Sequence, residues 1–378
     1  MVARLSQPDN APPNGGTSMR GSSGQPFDPD QSQCDATNSP RAAKREIAMS
    51  LEVTVCRVCG ASGKFDRCEV REMNFGSREA FWYLKCAHCD SLQIDEIPND
   101  LGRHYPSDYL GSGPSVAAEK AASLRASLRK FLRVQRTAYL LNGLNALGWI
   151  AQRVREDECT PHLLALRASR ISKEARILDV GCGPGHLLRR LREAGFAHLA
   201  GQDPFHSWAF PGIEIHSGPL HDVAGQYDLI MLHHSLEHTS DPLQMLVEAK
   251  MLCSPSGLIL VRIPVAAGEA WTTYGVDWYQ IDAPRHLVIP SARGMQELAQ
   301  RAGLRISNVD YDSDETQFLC SEQYKRDISL RDGRSYYHNP HQALFAEPEI
   351  ANAKARAQAA NRAGTGDQAC FYLRAPRA

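Results

Sequence analysis

What this 378-residue chain lacks narrows its nature first. It has no apolar run long enough to span a bilayer: the most apolar-leaning stretch, Tyr139 to Ala151, is short and interrupted by Asn142 and Asn145. It has no excess of either charge, with 42 Lys plus Arg against 43 Asp plus Glu, so no global field points to nucleic acid or an anionic surface. It has no basic start followed by an apolar core and a cleavage site, so no secretory leader is expected, and a soluble, cytoplasmic protein is. Large apolar residues are scarce over 1–48 among abundant Pro, Gly, Ser, Asn, Asp and Gln. Such a segment cannot bury enough surface to offset chain entropy, and a disordered tail is expected there. The eleven cysteines do not form the dense pattern of a disulfide scaffold. Four of them fall in C-x-x-C pairs, which favours metal in a reducing compartment.

What is present centres on residues 176–188. A short apolar run (Ile177, Leu178, Val180) meets glycines at Gly181, Gly183 and Gly185. A helical pattern follows, with Leu187, Leu188 and Leu191 on one face and Gly195 as its stop. Strand, tight turn and helix form the first unit of a doubly wound α/β fold. Glycine admits a ligand close to the backbone, and the helix start offers free N–H groups to an anionic part of it. A second strand, His198 to Gln202, ends on Asp203, where a carboxylate can bond ribose hydroxyls. The dinucleotide fingerprint G-x-G-x-x-G would place glycine at 186, but His186 stands there.

The second signal is the pair Cys56/Cys59 and Cys86/Cys89. Each pair can set two thiolates on one turn around a shared Zn²⁺, and the two turns complete a tetrahedron, with strands at Lys64 to Val70 and Ala80 to Leu84 between them. The alternative is buried, unliganded cysteine. A zinc-ribbon-like module is expected over 51–110, with no open position for catalysis. Basic and acidic residues offset one another within it, so it carries no strong nucleic-acid signal. A helical connector follows over 111–169, where Leu124, Leu128, Phe131 and Leu132 form a stripe beside Arg125, Arg129, Arg133 and Arg136. It reads as a solvated linker or as a face for phosphate or a lipid-borne acceptor.

In the 170–378 half, strands are expected at Ile213 to His216, Tyr227 to Leu232, Leu258 to Ile263, Leu304 to Tyr311 and Ala369 to Leu373. Asp241-Pro242 and Ser291 should start helices. The fourth strand of this sheet delivers His233, His234, Ser235, Leu236, Glu237 and His238 to the edge where open α/β sheets bind ligands. A histidine near neutral pKa suits removal of an acceptor proton, and His234 is the first choice as base. Glu237 and His238 are placed with it as catalytic candidates, or as a network that orients the loop; His234, Glu237 and His238 together could also hold a divalent ion. In the aromatic loop 271–286, Trp278 and His286 are acceptor-side candidates, unless Arg285 and His286 only brace it. An insertion over 313–366 carries a helix near Glu347 to Arg362 that looks polar nearly all round, so it should be solvent-exposed or an assembly surface.

The blocks "ILDVGCGPG", the strand end at Asp203, "YDLIMLHHSLEH" and "SPSGLILVRIP" occur in an order that resembles the class I S-adenosylmethionine-dependent methyltransferases, over roughly residues 170 to 312. The resemblance implies a Rossmann-like, doubly wound, seven-stranded α/β sheet with its last strand antiparallel. It also implies S-adenosylmethionine held by Asp179, Gly181, Cys182, Gly183, Gly185, Asp203 and His233. Pro219 stands where an acidic residue is common in the family, which leaves adenine to the backbone near Leu220 and to apolar stacking. The cysteine module is similar to that of bacterial methyltransferases acting on sugars and surface glycans. By that likeness "HYPSDYL" would bring Tyr109 to the cofactor, and the acceptor would be a small molecule such as a sugar or nucleotide-sugar. RNA or protein as acceptor, or an adapter that binds the cofactor and transfers nothing, are the other readings.

Overall fold

The computed structural model describes residues 48–49, 54–106, 124–154, 159–205, 212–340 and 344–376. Tyr109, and the tail expected over 1–48 apart from Ala48, lie outside them.

The amino-terminal part is a small antiparallel assembly. Strands β1 (Ala48–Met49), β4 (Phe65–Arg71), β5 (Ala80–Cys86) and β6 (Leu92–Ile94) pair in that order, while β2 (Thr54–Val55) and β3 (Ser62–Gly63) form a separate ribbon. Alternation along β4 buries Cys68 and Val70 on one face, while Phe65, of opposite parity, joins the core around the cysteines. Three helices follow: α1 (Leu124–Asn142), α2 (Ala146–Val154) and α3 (Thr160–Ser169).

The remainder is built on a seven-stranded sheet. Its strands are β7 (Arg176–Val180), β8 (His198–Gln202), β9 (Glu214–His216), β10 (Tyr227–His233), β11 (Cys253–Pro264), β13 (Arg305–Tyr311) and β14 (Gln368–Arg374). Their order across the sheet is β13-β14-β11-β10-β7-β8-β9. All neighbours from β9 to β11 pair in parallel, and β14 is antiparallel to both β11 and β13. Leu229, Ile230, Met231 and Leu232 of the central β10 are fully buried, because helices cover both faces. On one face Ile230 and Leu232 pack with Leu246 of α5 (Pro242–Leu252) and Leu298 of α7 (Ala292–Arg301). On the other, Leu229 and Met231 meet Leu163 of α3 and Leu188 of α4 (His186–Glu193). The expected helix starts are present: Asp241 accepts from Gln244 N at 2.9 Å and Ser291 from Gly294 N at 2.9 Å.

The two parts share structure. A two-residue strand, β12 (Val288–Ile289), pairs antiparallel with β6, so the small sheet ends on a strand from the second half of the chain. Cys56, Val58, Cys86 and Cys89 belong to the same core as Met295 and Leu298 of α7.

The insertion after β13 departs from expectation. Its helices α8 (Thr316–Lys325) and α9 (Glu347–Ala363) pack together, and α9 buries Ile350, Ala353, Ala357 and Ala360. Helix α9 is therefore not polar all round. Its alanines recur at helical spacing and let it lie close against Phe318 and Leu319 of α8.

Candidate functional site

The glycine turn sits at the carboxyl edge of β7. Gly181, Gly183 and Gly185 have φ of +73°, +49° and +70°, which side-chain-bearing residues adopt only under strain. At Gly181 a Cβ would also fall 2.6 Å from Cβ of Ser235, so the turn lies against the loop that follows β10. The amides of Gly181 and Cys182 donate to the carbonyl of Gln202, at 2.7 and 3.1 Å. Asp203 accepts from Gly183 N at 3.0 Å and from Phe205 N at 2.9 Å, fixing the turn from the end of β8. Asp179 and Asp203 are both buried, and burial, with the Asp203 charge nearby, pushes the Asp179 carboxyl up to about 7. No hydrogen bond or ion pair to the Asp179 carboxylate is formed among the described residues. Six of the expected donor residues, Asp179, Gly181, Cys182, Gly183, Gly185 and Asp203, thus come together. Leu220 is buried in the core that includes Leu178 and Val180 of β7. His233 ends β10, where its ring meets His162 of α3 edge-on at 4.4 Å. Burial holds the His233 imidazole well below its usual range, and neither ring nitrogen has a hydrogen-bond partner among the described residues.

Beside this turn a cleft of about 670 Å³ opens at the same edge of the sheet. His234 stands in it in a left-handed conformation, φ +52°. Its Nε2 faces Arg262 Nη1 at 2.6 Å and its Nδ1 faces Glu237 Oε1 at 3.0 Å. Arginine can only donate, so Nε2 accepts and Nδ1 carries the proton that Glu237 takes. That leaves His234 without a free lone pair, in conflict with its expected role as base. Glu237 is fully buried. Burial works against its charge, yet the hydrogen bond from His234, with His238 and His286 nearby, brings its carboxyl down to about 2.

His238 and His286 remain open. His238 Nδ1 donates to the Arg285 carbonyl at 2.9 Å, and His286 Nδ1 donates to that of Gln280 at 2.7 Å. Each therefore keeps Nε2 out of that bond. Burial and the neighbouring His286, 4.9 Å away ring to ring, push His238 down to about 4. Asp282 Oδ2 lies 3.9 Å from His286 Nε2, placed to stabilise a proton gained there. The ligand atoms of Glu237, His238 and His286 lie within 4.8 Å of one another, so the residues that could share an ion include His286 rather than His234.

The loop bearing His286 is held from the amino-terminal part. Arg285, fully buried, donates to Glu72 at 2.8 Å, to Asp282 at 2.6 and 3.0 Å, and to the His104 carbonyl at 3.1 Å. The Tyr83 hydroxyl donates to the His286 carbonyl at 2.8 Å. Arg285 is thus the brace, while His286 faces the cleft. Trp278 is buried beneath it, and its indole fixes Asp367, a lining residue, at 2.9 Å.

The cysteines converge as the spacing predicts. Cys56 and Cys89 Sγ are 3.8 Å apart, as are Cys59 and Cys86, and all four lie within 4.8 Å. A tetrahedron with Zn–S near 2.3 Å has edges of about 3.8 Å, so the set fits the ion. Each pair lies on a tight turn closed by an amide, Gly60 N to Cys56 O and Asp90 N to Cys86 O.

Sequence reasoning missed Arg262, Asp312, Asp314 and Asp367, which line the cleft. Arg262 had a signal, a charge inside the otherwise apolar Leu258–Ile263 run. The aspartates had none, since they reach the cleft only when β13 and β14 flank the sheet.

Glycine turn, acidic strand end and strand order are those of a class I fold, and residues 151–309 match the family described as a methyltransferase domain. The match is to a methyltransferase domain and is confined to that part of the chain. Two curated relatives are the tRNA U34 carboxymethyltransferases of Alcanivorax borkumensis, 28% identical over 203 residues (49% of this chain, 58% of the relative), and of Idiomarina loihiensis, 28% identical over 160 residues (36% and 48%). The chain thus spans about half the length of these curated relatives. Among solved structures, an S-adenosylmethionine-dependent methyltransferase from Mesorhizobium loti is 16% identical, covering 58% of this chain and 98% of that one, with a TM-score of 0.37. No helix among the described residues is long and apolar enough to cross a membrane.

Proposed function

We propose that this chain transfers a methyl group from S-adenosylmethionine to a small polyhydroxylated acceptor, a sugar or the sugar of a nucleotide-sugar. The observation that carries the acceptor class is the chemistry of the cleft. Asp282, Asp312, Asp314 and Asp367 line it against one arginine, Arg262, which is itself paired with Asp312 at 2.6 Å. Burial pushes the Asp314 and Asp367 carboxyls up, Asp367 to about 7. A carboxyl near its titration point, as at Asp367, both donates to and accepts from hydroxyl groups, whereas the continuous phosphate backbone of a nucleic acid would be repelled.

Bound S-adenosylmethionine supplies an electrophilic methyl group on a sulfonium. Asp203 would bond ribose hydroxyls, and Asp179 would offer the buried negative charge that a cationic amine or sulfonium offsets. His286 Nε2 takes the acceptor proton and Asp282 stabilises the resulting charge. His234 holds Glu237 and, through Arg262, the cleft wall. Transfer then depends on holding donor and acceptor in contact away from water. The second reading, RNA as acceptor, is favoured by the names of the curated relatives. Labelled-methyl transfer to small-molecule and RNA pools separates them. Label in ribonuclease- and protease-resistant small molecules is expected. Label released by ribonuclease would put RNA in their place, and no label in any pool would leave a silent adapter.

Donor affinity should depend on pH. Burial and the Asp203 charge hold the Asp179 carboxyl near 7, and a cationic ligand requires it ionised. Below pH 7 binding must expel a proton, so affinity for S-adenosylhomocysteine should fall by up to about tenfold per pH unit and level off above 7. Calorimetry between pH 5.5 and 8 checks this, and a flat profile would remove Asp179 from the contact.

In the same reading, Cys56, Cys59, Cys86 and Cys89 hold one structural Zn²⁺. Four sulfurs leave no open position, so the ion cross-links the module without taking part in chemistry. Purified protein should carry about one zinc per chain. Cys56→Ser with Cys59→Ser should lose it, as elemental analysis would show; unchanged metal content would contradict the assignment.

A further inference from the structure

The hairpin of α1 and α2 is basic and apolar at once, and the site uses neither property. From Leu124 to Val154 the sequence contains Arg125, Arg129, Lys130, Arg133, Arg136 and Arg153 but no Asp or Glu, in a chain of net charge −1. Two of these arginines are held inward: Arg133 pairs with Glu193 of α4 at 2.6 Å, and Arg136 donates to the Ala151 carbonyl at 3.0 Å. Arg129 and Lys130 are exposed, and Arg153 lies 4.3 Å over the exposed ring of Trp149. Between these cations stand apolar side chains open to solvent. Leu128, Phe131 and Leu132 crowd the early turns of α1, and Leu144 at the hairpin tip is 91% exposed. Leu147, Ile150 and Val154 follow on α2 at helical spacing. The inward positions are already filled by Leu140, Gly148 and Ala151, so the exposed residues are surplus to the fold.

We propose that the α1–α2 hairpin docks on an anionic lipid bilayer, with its exposed leucines, Ile150 and Phe131 entering the acyl boundary and Arg129, Lys130 and Arg153 at headgroup level. Charge and side-chain type decide between occupants. A second copy of this chain meeting through the same face would set these cations against one another, because a two-fold contact pairs a surface with itself. RNA would satisfy the cations but not the aliphatic side chains, since nucleic acid is held through phosphates and aromatic stacking. An anionic bilayer satisfies both. The placement also matters to the cleft: α1 packs on α3, and Thr160 and Pro161, at the start of α3, line that cleft. Docking would bring it toward the headgroups, where an acceptor borne on lipid is presented.

The test is flotation of the full chain with phosphatidylcholine vesicles, with and without phosphatidylglycerol. Binding to the anionic vesicles alone is expected, weakening as salt is raised. Arg129→Gln with Lys130→Gln should lower it roughly 25-fold, at roughly fivefold per basic residue near the surface. Leu147→Ser with Ile150→Ser should weaken it while leaving the salt dependence in place. Both variants should keep the wild-type unfolding temperature and affinity for S-adenosylhomocysteine, since neither touches the core or the glycine turn. Failure of the wild type to float would overturn the proposal. So would a wild-type dimer that the apolar variant turns monomeric, or single-stranded RNA binding that only the basic variant loses. None of these outcomes bears on donor binding, so the methyltransferase reading fails or stands separately.

Discussion

Arg285→Met should destabilise the protein by about 3–5 kcal/mol, the usual cost of stripping one partner from a buried ion pair. The residue is fully buried, and so is Glu72, while Asp282 is nearly so. Without the guanidinium, two carboxylates would lose their charged partner in a low-dielectric interior, keeping hydrogen bonds such as those from Phe75 N and Asn74. Burial alone would raise the Asp282 carboxyl, yet beside Arg285 it is held far below the usual range. Urea unfolding at pH 7 followed by circular dichroism measures the loss. Adding Glu72→Gln to Arg285→Met should cost less than the sum of the two single changes, because they share one contact. Destabilisation under about 1 kcal/mol would show the network relaxing into water and would refute the claim that it locks the loop.

His286→Ala should lower turnover by about 10²–10⁴-fold while leaving S-adenosylhomocysteine affinity unchanged, the range expected for loss of a positioned proton acceptor. The geometry behind this is specific. His286 spends Nδ1 on the Gln280 carbonyl, keeps Nε2 toward the cleft, and has Asp282 at 3.9 Å to receive the charge. His234→Ala should act differently, by freeing Arg262 and Glu237, and should alter acceptor KM along with kcat. Steady-state rates on the acceptor found by label transfer distinguish them. Equal, pure kcat losses in both variants would return the base to His234.

The fold was legible wherever short-range pattern dictates structure. Apolar runs at Ile177 to Val180 and Tyr227 to Leu232 announce strands buried on two faces, and the glycines between 181 and 185 announce a turn needing positive φ. The cysteine cluster was legible because a C-x-x-C turn is local, so only the meeting of two turns had to be inferred. The acceptor half was not, because its contacts are distant in sequence: Glu72 and Arg285 are 213 residues apart. The partner of His234 was hidden for the same reason, since Arg262, which faces its Nε2, comes from the next strand. Helix α9 was misjudged because alanine registers as nearly neutral in hydropathy, although Ala353 and Ala357 are small enough for close packing against α8.

The most direct test of the account is a calorimetric titration of S-adenosylhomocysteine into the wild type and Asp203→Ala at pH 7.5. Asp203 joins the turn to the end of β8 through Gly183 N and would also hold the ribose. The account predicts one binding event on the wild type, weakened by about tenfold or more in the variant, in line with loss of charge-assisted hydrogen bonds. No heat and no thermal shift with either protein would contradict it, and would mean that the glycine turn serves a different ligand or none.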